Sequence, residues 1–263
     1  MIRTFIISLA SETARRAHME ALCREHGIDA VFVDAVDMRG AAAEELEKLS
    51  AIPVYKKPRK RRSLSAGEVG CALSHHHVYR EMAEQGLDYA LVLEDDAKFL
   101  RNPGLMLDEK RLQSLMVQSP FDVLILGYVK TLEEQLPYHY RRLPIKKKAV
   151  LQLPDGKAEF GTLWDEYSCG TVAYVITLEG ARKLLDMTAR PCVTADDWKY
   201  FVRHCGLRIL HSRPVFVLED VLRFDSSIRN DSLDSLKPKF SSAVIRSLKG
   251  YWRYFAMNYL GFR

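Results

Sequence analysis

The sequence predicts a mixed α/β domain, and three observations carry that reading. Residues 4–9 form a β-branched and apolar run bounded by a Ser/Glu/Thr cluster, a helical pattern follows over about 13–26, and residues 30–33 read as a second strand. Strand, helix and strand at this spacing make a βαβ unit, hence a parallel sheet with helices on its faces. Further apolar runs at 89–93, 121–126 and 171–177 continue the alternation, the last leading into a helix over 178–187. With 263 residues, 48% of them hydrophobic, the chain can bury an ample core.

The segments between these runs are less regular. Residues 51–62, AIPVYKKPRKRR, hold two prolines and a run of Lys and Arg without an acid, which reads as a solvated loop. In the stretch that follows, Ser65 and Glu68 have capping-box spacing at the head of a helix running to about residue 85. Its inward stripe is expected to be Val69, Ala72, Leu73, His76 and Ala83, with His76 a hydrogen-bonded core histidine. Between 130 and 165 the pattern weakens and no element is assigned. A division at residue 230 is expected, with one domain over 1–230 and a basic extension over 231–263.

The totals exclude several classes. A formal net charge of +5 is a modest excess that suits an anionic partner without naming one. Five scattered cysteines with no C-x-x-C pair fit neither a disulfide framework nor a zinc ribbon, and favour a reducing compartment. The opening MIRTFIISLA lacks a signal-peptide pattern, and no stretch approaches the roughly 20 apolar residues of a spanning helix. A soluble or peripherally attached protein is expected.

The most informative stretch is LVLEDDAKFL, residues 91–100, where an apolar run ends in Glu94, Asp95 and Asp96. In extended backbone Glu94 and Asp96 share a side while Asp95 faces the other. Adjacent carboxylates oppose one another's ionisation, and a hard divalent cation such as Mg²⁺ or Mn²⁺ removes that conflict while engaging substrate phosphates. A solvated acidic turn is the structural alternative. In open α/β sheets, however, ligands gather at the carboxyl ends of strands.

Five blocks in order carry a family resemblance over about residues 3–230: FIISLASETARRAHMEALCREHGI, AVDMRG, SAGEVGCALSHHHVYREM, LVLEDDA and GTVAYVITLEGARKLL. The chain resembles the family 25 glycosyltransferases, typified by bacterial lipooligosaccharide galactosyltransferases. The resemblance implies a GT-A-type, Rossmann-like fold. It also implies inverting, metal-dependent transfer from a nucleotide-diphospho-sugar, with UDP-galactose the commonest donor. Asp96 corresponds to the last acid of the metal motif, with Glu94 next, while Asp95 corresponds to a position for donor ribose or sugar hydroxyls. The same carry-over places Ser8 and Leu9, Arg16 or its neighbour Arg15, Glu68, Ser74 and His75 around the donor, and His211 as a possible completing ligand of the metal.

Inverting transfer needs a carboxylate to take the acceptor hydroxyl's proton. VTADDWKYF supplies Asp197 as the expected base and Asp196 as its alternate, although Thr194 and Asp197 also have capping-box spacing. His75, His76 and His77 cannot converge on one metal, because consecutive helical residues project about 100° apart and two ligands want i, i+4 spacing. Ser227 and Ile228 resemble a short terminal motif of the family.

The last residues, SSAVIRSLKGYWRYFAMNYLGFR, place Val244, Leu248, Tyr251, Trp252, Phe255, Tyr259 and Phe262 on one helical arc, with Arg246, Lys249 and Arg253 opposite. That pattern fits an interfacial helix, or else a helix packed on the domain. The expected protein is therefore a UDP-galactose-dependent, β-1,4-galactosyltransferase-like hexosyltransferase acting on a lipid-linked lipooligosaccharide. It would sit peripherally on the cytoplasmic face of a bacterial inner membrane and bind no nucleic acid. Transfer from UDP-glucose or a UDP-N-acetylhexosamine, and a non-catalytic basic binding protein, are the alternatives.

Overall fold

The computed structural model describes residues 1–51, 63–167, 169–224 and 240–261. Three parallel strands, β1 (Ile2–Ser8), β2 (Ala30–Asp34) and β3 (Tyr89–Glu94), build the first half of the main sheet. β9 (Ala173–Thr177) runs antiparallel between β3 and β5 (Val123–Ile125), and β10 (Ile209–Arg213) lies parallel to β5. The hairpin of β7 (Ile145–Leu153) and β8 (Gly156–Leu163) closes the far edge, giving eight strands in the order β2–β1–β3–β9–β5–β10–β8–β7. This is the mixed α/β sheet that the sequence predicts.

Register explains where the site falls. Thr4 of β1 lies beside Ala30 and Leu91, so Ser8 comes level with Asp34 and Ile7 with Glu94. The carboxyl ends of β1, β2 and β3 therefore meet at one edge of the sheet. Side chains alternate between its two faces: Phe5, Ile7 and Val92 enter one core cluster, and Ile6, Leu91 and Leu93 the other. Leu91, Val92 and Leu93 are wholly buried, as in a strand covered on both faces, each contributing about 1.5–3 kcal/mol of burial.

Helices cover both faces. α1 (Thr13–Glu25) and α4 (Glu109–Gln118) contribute Met19, Leu112 and Leu115 to one core. α3 (Ala66–Gln85), α6 (Leu178–Thr188) and α7 (Trp198–Cys205) pack on the other. α3 opens with the expected capping box, Ser65 Oγ accepting from the Glu68 amide and Glu68 accepting from the Ser65 amide. It closes on Gly86 at φ +62°, a left-handed position that a residue with a Cβ resists.

A second, three-stranded sheet joins β4 (Ala97–Phe99), β11 (Val217–Glu219) and β6 (Gly127–Tyr128), in the order β4–β11–β6. It carries β4, the continuation of the acidic turn, against the end of β11.

Several expectations change. The run at 121–126 narrows to β5, and β6 follows it directly at Gly127–Tyr128 but joins the other sheet. The unassigned 130–165 region holds α5 (Leu136–Arg142) and the β7–β8 hairpin. β7 is an edge strand with Lys146, Lys147 and Lys148 near its start and a bulge between Lys147 and Ala149, which breaks the alternation a strand would show in sequence. α2 (Ala43–Leu49) was not foreseen. On α3 the fully buried histidine is His75, 1% exposed, whereas His76 is half-buried and bonds Thr188 Oγ1 at 3.0 Å. Leu73 and Ala83 are likewise only half-buried, because α3 turns Val78, Tyr79 and Met82 inward instead.

The basic loop over 52–62, Ser227, Ile228 and Phe262 lie outside the described residues, as does the expected domain boundary at 230. α8 (Phe240–Tyr259) packs against α5 through a small-residue face: Gly250 and Ala256 are buried, and a Cβ on Gly250 would lie 1.8 Å from the Arg141 carbonyl oxygen. Val244, Leu248, Tyr251, Trp252, Phe255 and Tyr259 all stay exposed. The helix thus packs on the domain and still presents its apolar arc outward. Among the described residues no helix is long and apolar enough to cross a membrane.

Candidate active site

β3 ends where three carboxylates part company. Asp95 turns back beneath the sheet edge, accepting from Ser8 Oγ at 2.6 Å and from Arg15 Nη1 at 2.9 Å. Arg15 is 8% exposed and stands under the Phe224 ring. Glu94 takes the opposite direction, accepting from Thr171 Oγ1 and lying 3.4 Å from His75 Nε2. Asp96 lies between them: Oδ2 is 3.4 Å from Arg15 Nη1, while the buried Oδ1 has no hydrogen-bond partner.

Electrostatics separate these groups. Burial, then the charges of Glu94 and Glu219, hold the Asp96 carboxyl well above the ordinary carboxylate range, and Arg15 offsets this only in part. Glu219, at the end of β11, is itself raised by burial and by Glu94, while accepting from the Lys130 amide at 2.8 Å. Asp196 is raised chiefly by burial, with Glu94 and Asp197 adding to it. Its two oxygens accept from Thr194 Oγ1 at 2.7 Å and the Gly170 amide at 3.2 Å. Asp96, Glu219 and Asp196, from three parts of the chain, thus each meet the charge of Glu94 with too little positive charge to balance it.

The other expected residues have defined places. Arg16 donates to the Ser8 and Leu9 carbonyl oxygens and pairs with Asp34, so Arg15 is the arginine that reaches the acids. Glu68 serves the α3 cap. Ser74 Oγ donates to the Gly70 carbonyl at 2.6 Å and accepts from the Val36 amide at 2.8 Å, which pins the loop after β2 to α3. Asp197 caps α7, accepting from the Tyr200 amide at 3.1 Å. His211 is wholly buried in β10 with Nε2 2.8 Å from Glu166 Oε2, so its visible partner is that carboxylate and not Glu94 or Asp96.

Glu219, Thr171 and Cys71 escaped the sequence reading as site residues. A signal for Glu219 was present, since Val-Leu-Glu-Asp occurs at 92–95 and again at 217–220. Both copies end a strand, and the pairing of β4 with β11 sets Glu219 level with Ala97, beside the first copy. For Cys71, the signal was its i, i+4 spacing to His75.

The sequence profile of glycosyltransferase family 25 (LPS biosynthesis protein) matches residues 1–198. A probable inactive glycosyltransferase 25 family member 3 from Rattus norvegicus is 39% identical over 185 residues, covering 69% of this chain and 29% of the rat protein. Procollagen galactosyltransferase 1 of Danio rerio is 32% identical over 188 residues, 69% of this chain and 28% of the fish protein. Procollagen galactosyltransferase 2 of Homo sapiens is 30% identical over 190 residues, 69% and 27% respectively. The chain thus spans under a third of the length of these relatives. Among solved structures, a glycosyltransferase involved in glycosylating the major capsid of PBCV-1 aligns over 95% of this chain and 98% of its own, at 10% identity and a TM-score of 0.37. With the profile covering every strand of the main sheet except β10, together with the acidic turn and Asp196–Asp197, the chain belongs to glycosyltransferase family 25.

Proposed function

We propose that this family member is an inverting, metal-dependent hexosyltransferase that moves galactose from UDP-galactose to a hydroxyl of a lipid-linked oligosaccharide. The observation that carries the reading is the buried, unpartnered Oδ1 of Asp96 beside Glu94 and Glu219 at the carboxyl edge of the sheet. Several of the family relatives are galactosyltransferases by name, which favours galactose over the glucose and N-acetylhexosamine alternatives.

The residues present fit Mn²⁺ or Mg²⁺: an orphaned carboxylate oxygen whose charge is opposed by its neighbours is relieved by a hard cation. Asp96 would hold it first and Glu94 second. A hard cation held by these carboxylates would supply charge neutralisation for the diphosphate leaving group. Ser8 and Arg15 fix Asp95 for the donor's hydroxyls, and Arg15 brings a cation within reach of phosphate. The base belongs to the Asp196–Asp197 pair. Asp197 is engaged at the start of α7, whereas Asp196 feels the charge of Glu94 and has its carboxyl raised above the ordinary range, which makes it the stronger proton acceptor.

The lipid-borne acceptor is supported by α8. Its outward arc exposes Trp252 at 59%, Tyr251 at 58% and Phe255 at 46%, Arg246 and Lys249 are exposed with it, and the helix has no acid. An anionic bilayer at the cytoplasmic face is the surface this pattern fits.

The test is turnover of a panel of UDP-sugars on a lipid-linked oligosaccharide, with EDTA and with Mn²⁺ restored. Galactose transfer that vanishes with chelator and returns with Mn²⁺ is expected. The inactive designation of the 39% identical rat relative favours a second, non-catalytic reading. No turnover or hydrolysis of any UDP-sugar would establish that one in its place.

A further inference from the structure

We infer that Cys71, His75 and Glu94 form a binding site for a thiophilic divalent ion, Zn²⁺ in the cell, distinct from the hard cation assigned to Asp96. Cys71 and His75 stand one turn apart on the same face of α3, and Glu94 meets them from the end of β3. One ligand atom from each lies within 4.8 Å of the others. Around a tetrahedral zinc with bonds of about 2.0–2.3 Å, ligand atoms stand roughly 3.3–3.8 Å apart, so closing the shell needs only a small contraction.

The surroundings favour such a site. His75 Nδ1 is 2.7 Å from Tyr174 Oη, and that hydroxyl is 3.2 Å from Tyr79 Oη. The Tyr174 ring is braced by the edge of Trp198. With Nδ1 donating to Tyr174, the Nε2 lone pair points at Glu94, the arrangement by which a hydrogen bond behind an imidazole fixes tautomer and ring plane for a metal. Thr171 donates to Glu94 Oε1 and so fixes the carboxylate beside the imidazole. His75 is buried while Cys71 and Glu94 keep partial exposure, so the cluster lies near the surface and not deep in the core.

Ligand chemistry decides the metal. A thiolate, an imidazole and one carboxylate select Zn²⁺ or Co²⁺ over Mg²⁺, which prefers oxygen. The same three groups do not make a nucleophile. Burial and the charges of Glu94 and Asp196 push the Cys71 thiol well up, the reverse of what a reactive thiolate requires. Binding releases the thiol proton to solvent as the Zn–S bond forms, and the ion balances part of the excess negative charge.

The inference stands apart from the transferase reading, and its test reads metal, not turnover. The full chain, stripped with chelator and titrated with Co²⁺, is expected to take up one equivalent with a thiolate-to-cobalt band in the near ultraviolet and the intense visible bands of a tetrahedral ion. Cys71→Ser should abolish the near-ultraviolet band and weaken Zn²⁺ binding at least 100-fold, His75→Ala should weaken binding similarly, and Tyr174→Phe should cost about 10–100-fold. Asp96→Ala should leave the band intact. Absence of a stoichiometric cobalt band in the parent protein, or its persistence in Cys71→Ser with unchanged affinity, overturns the site. A thermal unfolding scan of each stripped variant separates lost binding from lost folding.

Discussion

Two aspartates at opposite ends of the sheet meet opposite fates. Asp122 precedes β5 and is wholly buried, yet it accepts from the Arg208 amide and guanidinium and from Lys183 Nζ. Burial alone would raise its carboxyl, but these donors outweigh it and hold the group below the ordinary range. Asp96 follows β3 and keeps an orphaned oxygen among other acids, so its carboxyl is held above that range. A carboxylate given its cations by the fold serves the fold, whereas one left short of them has its partner still to come.

The sharpest way to break this contrast is Asp96→Ala. On the proposed reading kcat/KM for galactose transfer falls at least about 1000-fold, roughly 4 kcal/mol of transition-state stabilisation, while the fold is kept or slightly strengthened. Near-parental turnover in a folded variant removes the metal role.

Asp122→Ala should do the reverse. Removing one member of a buried charge pair costs about 3–5 kcal/mol, and the low end is expected because Lys183 and Arg208 are part-exposed and also pair with Glu179. Denaturant titration should show a stability loss of about 3 kcal/mol with turnover per folded molecule unchanged. A loss of turnover without a loss of stability would place Asp122 in function instead.

The same contrast explains what sequence could reveal. β1, β3 and β9 were legible because strands covered on both faces must be apolar throughout, and α3 announced itself through Ser65 and Glu68. The acidic turn was legible because three carboxylates follow such a strand. β7 was not, since an edge strand guards itself with Lys146, Lys147 and Lys148 and thereby loses its alternation. Glu219 joins the site only through pairing of β4 with β11, strands separated by over a hundred residues. Which of Arg15 and Arg16 faces the acids depends on the rotation of α1 against the sheet, which neighbouring positions on one helix do not reveal.

A third measurement concerns the base. Asp196→Asn should lower turnover about 100-fold or more with little change in donor affinity, as expected when a proton acceptor is lost. Asp197→Asn keeps an oxygen that can accept from the Tyr200 amide, so α7 should persist with a smaller effect. If Asp197→Asn is instead the damaging change and Asp196→Asn the mild one, the base is Asp197.

The smallest effect is the most specific to the electrostatic comparison. Asp96, Asp196 and Glu219 have folded pKa values raised above their unfolded ones, so the native state holds protons that the unfolded chain has already released. Their contribution to stability is present below the unfolded values and is lost as pH rises through the folded ones. Asp122 has the opposite sign, contributing above its unfolded value and failing only as pH falls through its depressed one. In metal-free protein these three acids' share of the stability should therefore be lost as pH rises above the ordinary carboxylate range, and added Mn²⁺ should stabilise more at the alkaline end, where the competing protons have gone. Asp96→Asn removes the largest of these charges' conflicts and should flatten the profile. A slope in EDTA that is the same in the parent and in Asp96→Asn would mean that Asp96 is not the strained acid, and the distinction drawn between the two aspartates would fail.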